Sequence, residues 1–265
     1  MSAPVTLSAL AREGAVLAGA GAAILLQVAH RPVAAGVDRH SDFTRDPMAR
    51  LVHTLQYVYA VSLPEAEPVR ERVAGWVDRA HAPVRGVDDG GARYSAADPE
   101  AQLWVAATLY WAAERVRGRM WGVLDPGAAE EMYQDSAVLG TALGMPRELW
   151  PVDRAAFERW WQQRLGELEV TDAARAIARE LFAAEHAPVW MRTLMPLARM
   201  LTAGMLPTGV RSELGLELDV AGSVRDERVW SVLRAVYPRL PRVMRQAPSR
   251  WILRGLGVRG RSTCR

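Results

Sequence analysis

The chain has 265 residues and a formal net charge of +3, long enough to bury a sizeable core in one globular domain. Half of its residues are apolar, which suits a folded helical protein, and its one cysteine, Cys264, excludes an internal disulfide framework. Every basic residue except histidine is Arg, and the charge is uneven: residues 225–265 hold 11 Arg against Asp226 and Glu227, a net +9 that leaves −6 for the remainder.

In chain order, residues 1–10 are expected to form a flexible lead. Ala11–Gln27 is an apolar run with Arg12 and Glu13 at its start and small Gly14, Gly19 and Gly21 within it. It falls short of the about 20 apolar residues of a membrane span, and it lacks the basic start and cleavage site of a signal peptide. It reads as a buried helix whose glycines permit close packing. His30-Arg31-Pro32 ends that helix. Val33–Val37 reads as a helical turn, and Asp38–Phe43 as a loop capped by Ser41 or Asp42. His30 and His40 lack a third metal ligand at convincing spacing and read as hydrogen-bonded structural histidines.

Asp46–Gly86 is the stretch with the most chemistry. Arg50, His53 and Thr54 stand at i, i+3 and i+4 and share one helix face, which Tyr57 and Val61 continue. Pro64 and Pro68 break the helix. A second helical run carries His81 near its end, before Pro83 and Gly86. If the chain folds back near Ser62–Pro64, the two imidazoles are offset by about 10 Å along the axes, at about 1.5 Å per residue. Two such imidazoles can address opposite faces of one flat ligand. The plain alternatives are a structural His81, an Arg50–Asp46 surface ion pair, and a Thr54 hydroxyl bonded back to the carbonyl of Arg50.

Downstream, Asp89-Gly90 can turn a short hairpin within Gly86–Ser95. Glu100–Arg117 is a helix opened by Asp98-Pro99, with Leu103, Ala106, Ala107, Tyr110 and Trp111 on one stripe. It is expected to pack on the two histidine helices, the small Ala106 and Ala107 leaving room for something large. Further helices are read over Ala128–Leu143, Pro151–Leu165 with Asp153 as N-cap, Asp172–Phe182, Pro188–Met205, Gly209–Leu218 and Asp226–Tyr237. Trp160 and Trp161 face inward or line a groove. Trp190, Met191, Met195, Met200 and Met205 suit either an apolar pocket or ordinary core. Residues 238–265 mix Arg with Trp251, Ile252 and Leu256. They read as a basic amphipathic tail that lies on a membrane surface, folds over the body as a lid, or is simply solvated.

No P-loop, glycine fingerprint, GxSxG or CxxC is present. The whole reads as all-α: one multi-helix domain over 11–237. A cytoplasmic location, with peripheral membrane contact through 238–265 as one reading of the tail, is expected, and no nucleic-acid partner.

Several segments together resemble the MpaB-type oxygenases and the latex-clearing rubber oxygenases. They are LLQVAHRPVAAGVDRHSDFTRDP (Leu25–Pro47), Arg50-Leu51-Val52-His53-Thr54, HAPVRG from His81, YSAADPEAQLWVAATL (Tyr94–Leu109), MYQDSAVLGTALGMP (Met132–Pro146) and MLPTGVRSELGL (Met205–Leu216). The resemblance implies a globin-like core around haem b, with His81 as the iron ligand. It implies a distal or ligating role for His53, with Arg50 and Thr54 at the oxygen or propionate side. It implies an oxygenase acting with O2 on a carbon–carbon double bond of an apolar, isoprenoid-type substrate; polyisoprene itself does not follow. The chain departs from the pattern at Ala106, where many members carry His, and at His53, more usually Arg or Lys. A non-catalytic haem sensor or carrier, and a haem-free helical lipid- or partner-binding protein, are the rival readings.

Overall fold

A computed structural model describes residues 3–40, 47–185 and 187–258, and among them the chain is all-α apart from one two-stranded hairpin. The expected flexible lead instead contains helix α1 (Leu7–Ala11), capped by Thr6, whose side chain accepts from the Ala9 amide; Leu7 and Leu10 are buried. The apolar run is not one helix. After α1 it passes through a 3₁₀ segment (Gly14–Gly19) into α2 (Ala20–Ala29). Tertiary contacts explain the break. The Glu13 carboxylate is buried and accepts from Arg245 and Tyr237, both 2.9 Å away. At Gly14 a Cβ would stand 2.9 Å from the Arg245 carbonyl oxygen.

Helix α3 (Arg31–His40) is longer than the turn expected at Val33–Val37, because Pro32 lies in its first turn, where no intrahelical amide is lost. It leaves the preceding helix at 102°. Ser41, Asp42 and Asp46 lie outside the described residues. Helix α4 (Pro47–Ser62) carries Arg50, His53 and Thr54; a 3₁₀ segment (Pro64–Val69) reverses the chain into α5 (Arg70–His81), which packs back on α4. The hairpin pairs β1 (Arg85–Val87) with β2 (Arg93–Ser95), Gly86 opposite Tyr94. Its turn is held by Asp88, which accepts from the Gly90 and Ala92 amides (both 2.9 Å) and from Arg31 at 2.6 Å.

Helix α6 (Pro99–Trp121) is the central element, with Asp98 accepting from the Glu100 amide and Pro99 at the first position. The expected stripe of Leu103, Ala106, Ala107, Tyr110 and Trp111 is buried. Its main neighbours are α2 and the Gly14–Gly19 segment, however, and not α4 and α5. The Trp104 indole donates to the Leu26 carbonyl at 3.0 Å. Helices α7 (Pro126–Ser136) and α8 (Val138–Thr141) replace the single run expected at Ala128–Leu143. Helix α9 (Arg154–Gly166) begins at Asp153, which accepts from the Ala156 amide at 2.7 Å. Its Trp161 stacks between Trp104 and Trp111, with ring centroids 5.1 and 5.4 Å away, so this Trp faces the core.

Helices α10 (Asp172–Ala183), α11 (Val189–Arg192), α12 (Met195–Met205), α13 (Thr208–Glu213) and α14 (Val220–Val236) complete the body. Residues 238–258 are no loose tail. Helices α15 (Arg242–Arg245) and α16 (Ala247–Gly255) bury Ile252, Leu253 and Leu256, and α16 rests on α4. Arg72 donates to the Leu256 carbonyl at 2.6 Å. No single helix among the described residues is long and apolar enough to cross a membrane.

Candidate functional site

The space between α6 and the α4–α5 pair is a cavity of about 820 Å³, within the roughly 300–1,000 Å³ usual for ligand pockets. It explains why α6 does not touch the histidine helices closely. The α6 face that lines it is Ala101, Gln102, Val105 and Leu109, one register from the expected Ala106 and Ala107.

Arg50, His53 and Thr54 of α4 and His81 of α5 all line this one cavity. The i, i+3, i+4 spacing puts the first three on the inner side of α4. The 3₁₀ reversal at Pro64–Val69 brings the end of α5 to the same space. His81 is half-buried, and its pKa is lowered from the usual 6.5 by burial, then by the Arg50 charge, with Asp78 opposing. The imidazole is therefore neutral at pH 7, the form that binds metals. Neither ring nitrogen has a hydrogen-bond partner among the described residues. Arg50 is half-buried, and desolvation pulls its guanidinium below the ordinary arginine value. It stays charged all the same. Asp46, its expected ion-pair partner, is outside the described residues. Among the described residues no hydrogen bond joins the Thr54 hydroxyl to the Arg50 carbonyl, and Thr54 lines both this cavity and a second one. His53 lines the cavity but is the most exposed of the four.

His40 and Tyr94 also line the cavity, with His40 Nε2 and the Tyr94 hydroxyl 3.0 Å apart, which meets the expectation of a hydrogen-bonded structural histidine. His30 does not reach it. His30 packs on Trp104 at 5.9 Å, its Nδ1 buried without a hydrogen bond and its pKa lowered, chiefly by burial.

A second, smaller cavity of about 230 Å³ adjoins the first, and Gln27, Arg50, Thr54, Leu109 and Leu139 line both. Its remaining wall is apolar, from α1, α2, α4 and α6, with Met191 and Met195 at one side. Two of the methionines thus line a pocket, while Met205 is core; the side chain of Trp190 lies outside the described residues. Gln27 is a site residue that the sequence reading missed. Its amide nitrogen donates to Thr108 Oγ1 at 3.2 Å, which fixes it at the junction of the two chambers. The available signal was its isolation: it is the one polar side chain in α2. Tyr57 was placed on the correct helix face, and its hydroxyl donates to the Leu139 carbonyl at 2.8 Å, tying α4 to α8 at the cavity wall.

Among the described residues no three His, Cys, Asp or Glu side chains cluster as a metal site. A metal bound only by protein side chains would need such a cluster, whereas a porphyrin brings four nitrogens and asks the protein for one or two axial ligands. The neutral His81 imidazole in a large, mostly apolar cavity, with the Arg50 guanidinium nearby for a carboxylate, fits that demand.

Residues 8–239 match the family described as ER-bound oxygenase mpaB/B'/Rubber oxygenase, catalytic domain, and the chain belongs to that family. The chain is also similar to two uncharacterized proteins, one from Mycobacterium bovis and one from Mycobacterium tuberculosis. Each is 34% identical over 191 residues, which cover 72% of this chain and 74% of the relative. No solved structure gives a significant match.

Proposed function

We propose that the protein is a haem b-dependent oxygenase that cleaves a carbon–carbon double bond of an apolar, isoprenoid-type substrate with O2. The observation that carries this reading is the convergence of Arg50, His53, Thr54 and His81 on one cavity. Haem b supplies the iron and its redox chemistry with O2. His81 is the proposed iron ligand, kept neutral by burial and by Arg50. Arg50 holds a propionate or polarises the oxygen side through its fork of donors. Thr54 lines both chambers, where its hydroxyl would be available as a donor, and His53 would serve as an acid or base or as a second iron ligand. The apolar second chamber binds the hydrocarbon and keeps water from the reacting carbons. Cleavage consumes one O2, and each alkene carbon leaves as a carbonyl.

The test is a spectrum followed by turnover. Protein produced with added haem precursor is expected to show a Soret band, and His81→Ala to lose most of it while keeping the helical circular dichroism. With squalene as an apolar isoprenoid probe, O2 uptake and carbonyl products are expected. Colourless wild-type protein would sink the haem assignment. A Soret band that survives His81→Ala would sink the ligand assignment. Haem without O2 uptake on any alkene would leave a sensor or carrier.

A further inference from the structure

The C-terminal segment presents a surface that the oxygenase reading does not use. Between Arg228 and Val258 there are seven Arg and no Asp or Glu. One of them, Arg245, is buried against Glu13 at 2.9 Å and clamps the segment to the body. The others point outward. On α16, Ser249, Ile252 and Leu253 face the protein, and Ala247, Arg250, Trp251 and Arg254 stand at i, i+3, i+4 and i+7 on the opposite, exposed face. Trp251 is 65% exposed. On the adjoining α15, Arg242 is exposed beside Val243 and Met244, which are 62% and 60% exposed. Among the described residues Arg242, Arg250 and Arg254 have no acidic partner.

Exposed large apolar side chains set among unpaired arginines are costly in water unless something covers them. A bilayer with anionic headgroups satisfies both halves: guanidinium forks pair with phosphate, and indole and aliphatic side chains sit at the headgroup level. Nucleic acid satisfies only the charges, since a phosphate backbone offers little to Trp251, Val243 and Met244. We propose that the outer face of α15 and α16 docks the protein on an anionic membrane surface. The inference is independent of the haem assignment.

The structure also selects the variants. Deleting 238–258 would strip Ile252, Leu253 and Leu256 from the core, uncover the face of α4 on which α16 rests and leave buried Glu13 without its cation, so lost binding would report misfolding. Arg250→Gln with Arg254→Gln, and separately Trp251→Ser, change only the exposed face, and unchanged thermal melts check this. The assay is co-sedimentation of the full chain with phosphatidylglycerol-containing vesicles and with pure phosphatidylcholine vesicles. Binding is expected to the anionic vesicles only, to weaken with salt, to fall roughly five-fold per arginine removed, and to weaken again in Trp251→Ser. No sedimentation, equal sedimentation with both lipids, or wild-type binding by both variants would overturn the proposal. So would binding to random-sequence duplex DNA, lost in the arginine variant, without binding to vesicles.

Discussion

His81 and His30 show how burial turns one residue type to two ends. Both imidazoles have pKa values held below 6.5, chiefly by desolvation, yet one faces a cavity and the other is wedged against Trp104. A lowered imidazole pKa means that the unfolded chain binds more protons than the folded one once the pH falls below about 6.5. Stability is therefore full above that value and is lost as the pH drops through it towards the folded pKa values. Thermal melts are expected to be flat above pH 7 and to fall on acidification, and His30→Gln to flatten part of the fall. An unchanged slope in that variant would remove His30 from the explanation. At His81 the same burial would serve the proposed ligation, because a protonated ring nitrogen cannot bind iron. The Arg50 charge adds to it, so in haem-free Arg50→Gln the His81 ring is expected to titrate at higher pH by NMR.

The helices owe their beginnings to local sequence and their ends to neighbours. Asp98, Asp153, Thr171 and Asp219 cap α6, α9, α10 and α14 through side-chain bonds to backbone amides, although α14 begins at Val220 and not at the expected Asp226. The break after α1 was not readable, because Arg245 and Tyr237, the partners of Glu13, lie more than 220 residues away. That buried ion pair makes a firm prediction. Arg245→Met leaves a buried carboxylate without its cation and is expected to cost about 3–5 kcal/mol, with much of the loss recovered in the Glu13→Gln, Arg245→Met double variant. Denaturant melts of the three variants give the answer, and additivity of the single losses would rule the pairing out. At Gly21 an added Cβ would lie 2.1 Å from the buried Thr202 hydroxyl. Gly21→Ala is accordingly expected to destabilise by about 1–3 kcal/mol through overpacking, although it raises helix propensity.

For the whole molecule, the C-terminal helices close the structure that the N-terminal ones begin, as α16 rests on α4 and Arg245 reaches Glu13. Removing residues 238–265 is expected to lower the melting temperature sharply or to give insoluble protein. Burial of each large aliphatic side chain such as Ile252, Leu253 or Leu256 contributes about 1.5–3 kcal/mol. A truncated chain with an unaltered melt would show that the segment is dispensable. The sequence by itself determined the all-α class, the starts of α6, α9 and α10 and the shared face of Arg50, His53 and Thr54, because capping and the 3.6-residue period act within a few residues. It also placed His81 one helix further on. The cavity was decided only in three dimensions, for it is the gap left where α6 packs on α2 instead of on α4 and α5. The chain's linear order carries no direct record of which long-range packing wins. For the same reason Gln27 at the junction of the two chambers, and a basic tail that is half core and half surface, became visible only once distant segments were in contact.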